Sequence, residues 1–127
     1  MELKSGWHYH SNGGGMVQDT ARVASTAYVG KDAQVYGYAR VSDNAQIFGN
    51  ARVFGNAHVS KNARVSEDAW VSGNAQVYGD ALVYGNAQVY GYAQVFGNAR
   101  VSGDAWMCGY ARVFGNARVF GNARVSE

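Results

Sequence analysis

Residues 53–58 read Val53-Phe54-Gly55-Asn56-Ala57-His58, and the same unit, Val-x-Gly-Asn-Ala-x, recurs on both sides of it. A hydrophobic residue stands at every sixth position from Val17 to Val125, 19 in all; 17 are Val, and the other two are Ile47 and Met107. A second series, 18 consecutive Ala, runs every sixth residue from Ala21 to Ala123, with no insertion or deletion in either series. This period excludes a helix, because six helical steps turn the chain by about 600° and successive Val residues would face different ways. Ala-x-Val-x alternates as a strand does, which puts Ala and Val on one face and their neighbours on the other. Gly-Asn or Gly-Asp then supplies a turn. Each hexad is therefore one short strand and one corner.

Two architectures fit. Gly-Asn can close a two-residue hairpin, giving a meander. That meander would be one sheet with every Val on an uncovered face and far more strands than open sheets usually hold. A solenoid turning about three corners per coil covers each Val with the Val of the other two sides. Its coil would be 18 residues, and the irregular residues keep that register: Tyr38, Tyr92 and Tyr110 are separated by 54 and 18, Trp70 and Trp106 by 36, and Asp32, Asp68 and Asp104 by 36 each. A meander has no reason to keep such spacing, whereas a three-sided coil stacks these residues above one another.

The unit resembles the hexapeptide repeat of left-handed parallel β-helix proteins, with an aliphatic residue and, four positions on, a small one. The resemblance covers residues 17–125. The Gly-Asn-Ala-rich form, with its Gly13-Gly14-Gly15 lead-in, is similar to hexapeptide proteins of unassigned role in bacteria and phages. The expected fold is all-β: a single left-handed parallel β-helix of about six coils, the left hand coming from the resemblance alone. Residues 1–16 break the repeat and are expected to form an N-terminal cap or lead-in, with the β-helix over 17–127. The sequence stops in mid-pattern at Val125-Ser126-Glu127, so open core and unpaired backbone are expected at that end.

Composition bounds the class. The 127 residues, 47% hydrophobic and 16% charged, suit one folded domain rather than a disordered tail. One Cys excludes an internal disulfide framework, and three His make a Cys/His zinc module a poor fit. A net charge of +2 does not argue for nucleic acid. No apolar run reaches the roughly 18 residues of a membrane helix, so no membrane association is expected. The start, Met1 to Gly6, lacks the apolar stretch of a signal peptide, which makes a cytoplasmic address, or a phage particle, the expectation.

Asn and Asp tolerate left-handed backbone at the corners and Tyr does so only at a cost. Tyr38, Tyr92 and Tyr110 are therefore expected to mark either a different turn type or corners where the ring gains contacts.

The resemblance implies enzymes as well as scaffolds, since many left-handed β-helix proteins are acyltransferases and some are metal-dependent anhydrases. These work at trimer seams, with a His as base or ligand and a loop projecting from a coil. Here no loop interrupts the coils and only His58 lies within them, facing outward in a column with Arg22, Arg40, Gln76, Gln94 and Arg112. His58 is thus the one weak catalytic candidate, for an acyltransferase-like or metal-binding trimer. Its plainer reading is an exposed side chain. Cys108 reads as a small substitute for Ser, and His8 and His10 as polar contacts within the cap rather than a metal pair. Gly13-Gly14-Gly15 lacks the Lys-Ser/Thr of a phosphate loop and reads as a hinge. No metal and no cofactor is expected.

The outward columns carry more. All eight Arg sit immediately before a core position, which suits solubilising charge or a glycan- or polyanion-binding face. Aromatic residues follow the core position in columns: Tyr78/Phe96/Phe114, then Phe48/Tyr84/Phe120, then Tyr36/Phe54/Tyr90. Contiguous exposed aromatic surface marks interfaces. The residues expected at a homo-oligomer interface are Trp70, Tyr78, Tyr92, Phe96, Trp106, Tyr110, Phe114 and Phe120. The leading expectation is a non-enzymatic structural or self-assembly module that uses these faces, the open C-terminal end, or both.

Overall fold

A computed structural model describes residues 5–126. Its 20 strands, two or three residues each and numbered in chain order, begin with β1 (Trp7–Tyr9), β2 (Met16–Gln18), β3 (Arg22–Val23) and β4 (Tyr28–Val29), and end with β18 (Arg112–Val113), β19 (Arg118–Val119) and β20 (Arg124–Ser126). They form three sheets of eight, six and six strands, and each sheet takes every third strand of the repeat. The first sheet starts at β1 and β2, the second at β3, the third at β4. Apart from β1 and β2, every pairing is parallel, with residue i opposite i+18: Val53 opposite Val71, Val77 opposite Val95, Val65 opposite Val83. This is a three-sided parallel β-solenoid of about six coils, and the meander is excluded.

The pleat explains the repeat. Val is β-branched and suits a strand, and Ala fits beside the corner where the bore narrows. From Ala27 to Ala111 every residue of the two series is essentially sealed from solvent. Each buried Val contributes about 1.5–3 kcal/mol of transfer free energy. Coils are stitched together by backbone bonds: Arg52 N–H donates to Ala69 O (3.1 Å), Phe54 N–H to Val71 O (3.0 Å) and Asn56 N–H to Gly73 O (2.7 Å). Stability is therefore close to a sum over neighbouring coils.

The corners differ from expectation. The left-handed residue is the first of the corner pair, usually Gly, as at Gly37, Gly91 and Gly109 (φ 68°, 67° and 61°). The second residue keeps negative φ, so Tyr38, Tyr92 and Tyr110 carry no backbone strain and share the common corner. Positive φ at the first central residue alone is the signature of a II′-like turn. The non-Gly residues that do take it are Asp43, Lys61 and Glu67 (φ 57°, 60° and 60°). Two of them gain a bond that glycine cannot make: Asp43 Oδ2 accepts from Lys61 N–H (3.1 Å) and Glu67 Oε1 from Gly85 N–H (2.9 Å), each across one coil step.

The two ends are built differently. Strand β1 folds back antiparallel on β2, placing His8 opposite Val17, and so extends the first sheet. Residues 10–15 cover the third. Val29 N–H donates to Asn12 O (3.0 Å), Val29 O accepts from Gly15 N–H (2.9 Å), and Ala27 O accepts from both His10 Nε2 (2.8 Å) and Asn12 Nδ2 (3.1 Å). Gly13 must be Gly, because its φ is 112° and a Cβ there would run into the Val29 carbonyl. The second sheet has no such cover, and Val23 in its edge strand β3 is only partly buried. At the other end β18, β19 and β20 are the edge strands, so Ala117 and Ala123 are exposed and Val119 and Val125 half-buried. These partly exposed Val and Ala are the open core expected at that end.

Candidate functional surfaces

Strand alternation turns the residue after each core position outward, and the 18-residue register brings equivalent side chains together. On the second sheet Tyr78, Phe96 and Phe114 form a ladder, with ring centroids 4.9 and 5.2 Å apart and planes 1° and 10° from parallel. Tyr92 and Tyr110 stack at a corner, 5.1 Å apart. Tyr38 shares their column but is separated from them by Asn56 and Asn74. Trp106 meets Tyr90 edge-on at 6.4 Å and lies 4.5 Å beneath the Arg124 guanidinium. Trp70 meets Phe54 edge-on at 5.8 Å, with Arg52 over its ring at 5.7 Å. Phe120 is exposed beside Ser102, in the column where Tyr84 lies one coil further.

The columns thus contain both stacked rings and isolated ones. A second ladder lies in the N-terminal half, in the expected Tyr36/Phe54/Tyr90 column: Tyr36 stacks on Phe54 at 4.9 Å, and Trp7 reaches Tyr36 at 5.9 Å. Tyr36 and Phe54 were visible as a column. Trp7 was not, because it lies outside the repeat and meets the ladder only when β1 folds back.

His58 sits in its expected outward column, opposite Arg40 on one side and Gln76 on the other. Partial burial, and then the Arg40 charge, hold its pKa below the usual imidazole value. Among the described residues its ring has no hydrogen-bond partner, so nothing orients it as a general base would need. No three His, Cys, Asp or Glu side chains converge among the described residues. His8 Nδ1 meets Asp19 Oδ1 at 2.6 Å while His10 is buried against Ala27 O, so the two imidazoles serve different partners. Cys108 is half-buried beside Tyr90, and interaction with its thiol, followed by burial, pushes the Tyr90 hydroxyl pKa up against the opposing charge of Arg124.

Two cavities flank the column that holds His58. One, of about 460 Å³, is lined by Tyr38, Arg40, Asn56, His58, Asn74 and Gln76. The other, of about 470 Å³, lies between Arg22, Arg40 and His58 and the small residues Ala24 and Ser42.

Fold and surface together define a β-solenoid repeat protein with an uninterrupted coil and patterned outer columns. The family model of the YdcK beta solenoid repeat matches residues 45–61, 75–91, 93–109 and 111–127, more than half of the chain, and the chain belongs to that family. No curated protein and no solved structure matches it.

Proposed function

We propose that this solenoid is a non-enzymatic structural module that associates with copies of itself. The contacts would come from the aromatic columns of its C-terminal half (Trp70, Tyr78, Tyr92, Phe96, Trp106, Tyr110, Phe114 and Phe120), from the face of the last coil, or from both. The observation that carries this reading is the Tyr78/Phe96/Phe114 ladder, a continuous apolar strip on an unbroken wall, with Phe114 57% exposed. A flat, regular strip of rings suits a second copy of the same wall, and burying such rings supplies most of the energy of typical interfaces. The same reading places the chain in the wider hexapeptide-repeat group, with left-handed coils, in a bacterial cytoplasm or a phage particle.

Light scattering across a concentration series tests it. The expected result is a mass above one chain that falls to a single chain when Tyr78, Phe96 and Phe114 are all changed to Ser. A single-chain mass at every concentration contradicts the reading.

A further inference from the structure

We propose that the two adjoining cavities that share Arg40 and His58 on the N-terminal half of the second sheet form one groove that binds an acidic sugar chain, its carboxylates on Arg40 and Arg22 and its hydroxyls on the amides of Asn56, Asn74 and Gln76. This goes beyond the assembly reading and stands whether or not the chain self-associates.

The groove is chemically one-sided. No carboxylate lines either cavity. Arg22 and Arg40 are in-register neighbours, and Arg40 is in turn opposite His58. Like charges placed directly across a parallel pair repel. The one ion pair among the described residues joins His8 to Asp19, so neither arginine has an acidic partner among them. An anionic ligand relieves that repulsion and makes charge-assisted bonds with a planar guanidinium. The side chains of Tyr38, Arg40, Asn56, His58, Asn74 and Gln76 also take part in no hydrogen bond among the described residues. Each amide offers a donor pair and an acceptor in one plane, the complement of neighbouring sugar hydroxyls.

Shape agrees with chemistry. Ala24 and Ser42, on the wall of the cavity with Arg22, occupy positions that hold Tyr78, Phe96 and Phe114 further along the same sheet, and their small size leaves that part of the groove open. Tyr38, 67% exposed at the rim, offers an apolar ring face to the C–H side of a sugar. Single-stranded nucleic acid fits less well, because it is bound on successive large aromatic platforms and the groove's only rings are Tyr38 and the smaller imidazole of His58.

Calorimetry on the full chain decides the matter with four probes: an oligogalacturonate, a neutral oligosaccharide of similar length, inorganic phosphate and a single-stranded oligonucleotide. The expected result is binding of the oligogalacturonate alone, with shifts of the His58 ring resonances. Arg40→Gln should weaken it about tenfold or more, the size of a lost charge-assisted hydrogen bond, and Asn56→Ala, an exposed neutral amide, about threefold. Arg112→Gln, in the same column but beside the aromatic ladder, should leave it unchanged. Absence of oligogalacturonate binding, equal binding of the neutral sugar, tighter binding of phosphate or the oligonucleotide, or equal losses for Arg112→Gln and Arg40→Gln each overturn the proposal.

Discussion

The second sheet has two halves that share a bore and differ in everything outside it. From β3 onward its outer face carries Arg22, Arg40 and His58 with Ala24, Ser42 and Ser60 beside them. Further along it carries Gln76, Gln94 and Arg112 with Tyr78, Phe96 and Phe114. Beneath both run the same Val and Ala, sealed alike from Val41 to Val95. The comparison separates two jobs. The inward series specifies the solenoid and tolerates almost no change, while the outward columns are free to vary and give one half an open cationic groove and the other a strip of rings.

The largest expected effect should erase the comparison. Val41→Asp and Val95→Asp lie in opposite halves, and each buries a carboxylate with no partner, at a cost of several kcal/mol. Both should abolish the cooperative thermal transition followed by circular dichroism. If one half tolerates the change, the bore is not shared.

A smaller effect sharpens the role of the coil beneath. Gly97→Ala and Gly115→Ala change the same corner column at φ 69° and 64°. At Gly115 a Cβ meets nothing within 4 Å, whereas at Gly97 it meets Gly115 N at 2.9 Å. Gly115→Ala should cost about 1–2 kcal/mol from the backbone alone. Gly97→Ala should cost clearly more in denaturant titrations.

The outer faces come next. Phe96→Ala removes the middle ring of the ladder and two stacked pairs, about 1–3 kcal/mol beyond the burial lost. Ser60→Ala, the corresponding position in the other half, should stay within about 0.5 kcal/mol. Equal losses would mean that the ladder adds nothing to stability.

The smallest effect is a titration. Burial and Arg40 lower the His58 pKa, so the folded chain binds that proton less well than the unfolded chain. Stability is therefore expected to decline slightly as pH falls through the unfolded imidazole value, about 6.5. Arg40→Gln should raise the His58 pKa toward that value in an NMR titration. No change would show that the arginine charge does not reach the ring.

The bore was legible in the sequence because it is periodic. Val and Ala every sixth residue fix strand, corner and inward face, and the spacing of Tyr38, Tyr92 and Tyr110 reveals the 18-residue coil. The corner geometry is not fixed by the sequence, because Gly-Asn is locally compatible with left-handed backbone at either residue. What decides is the approach of the next coil, as where Gly115 N lies against the Cβ position of Gly97, and local spacing does not contain it. The groove was hidden for a similar reason. The spacing puts Arg22, Arg40 and His58 in one column, but the neighbouring corner column of Tyr38, Asn56 and Asn74 is what turns the column into a cavity wall. Trp7 lies outside the repeat, and only the fold-back of β1 on β2 brings it to Tyr36.

Disulfide mapping tests the winding most directly. In a Cys108→Ser background, Ser42→Cys paired with Ser60→Cys places two thiols one coil step apart, within the ~4.4–6.8 Å Cα separation a disulfide accepts. Ser42→Cys paired with Phe48→Cys places them on different sides of the prism. The account predicts oxidation within one chain for the first pair and none for the second. Oxidation of the second pair and not the first would mean that successive hexads lie side by side, and the solenoid would be wrong.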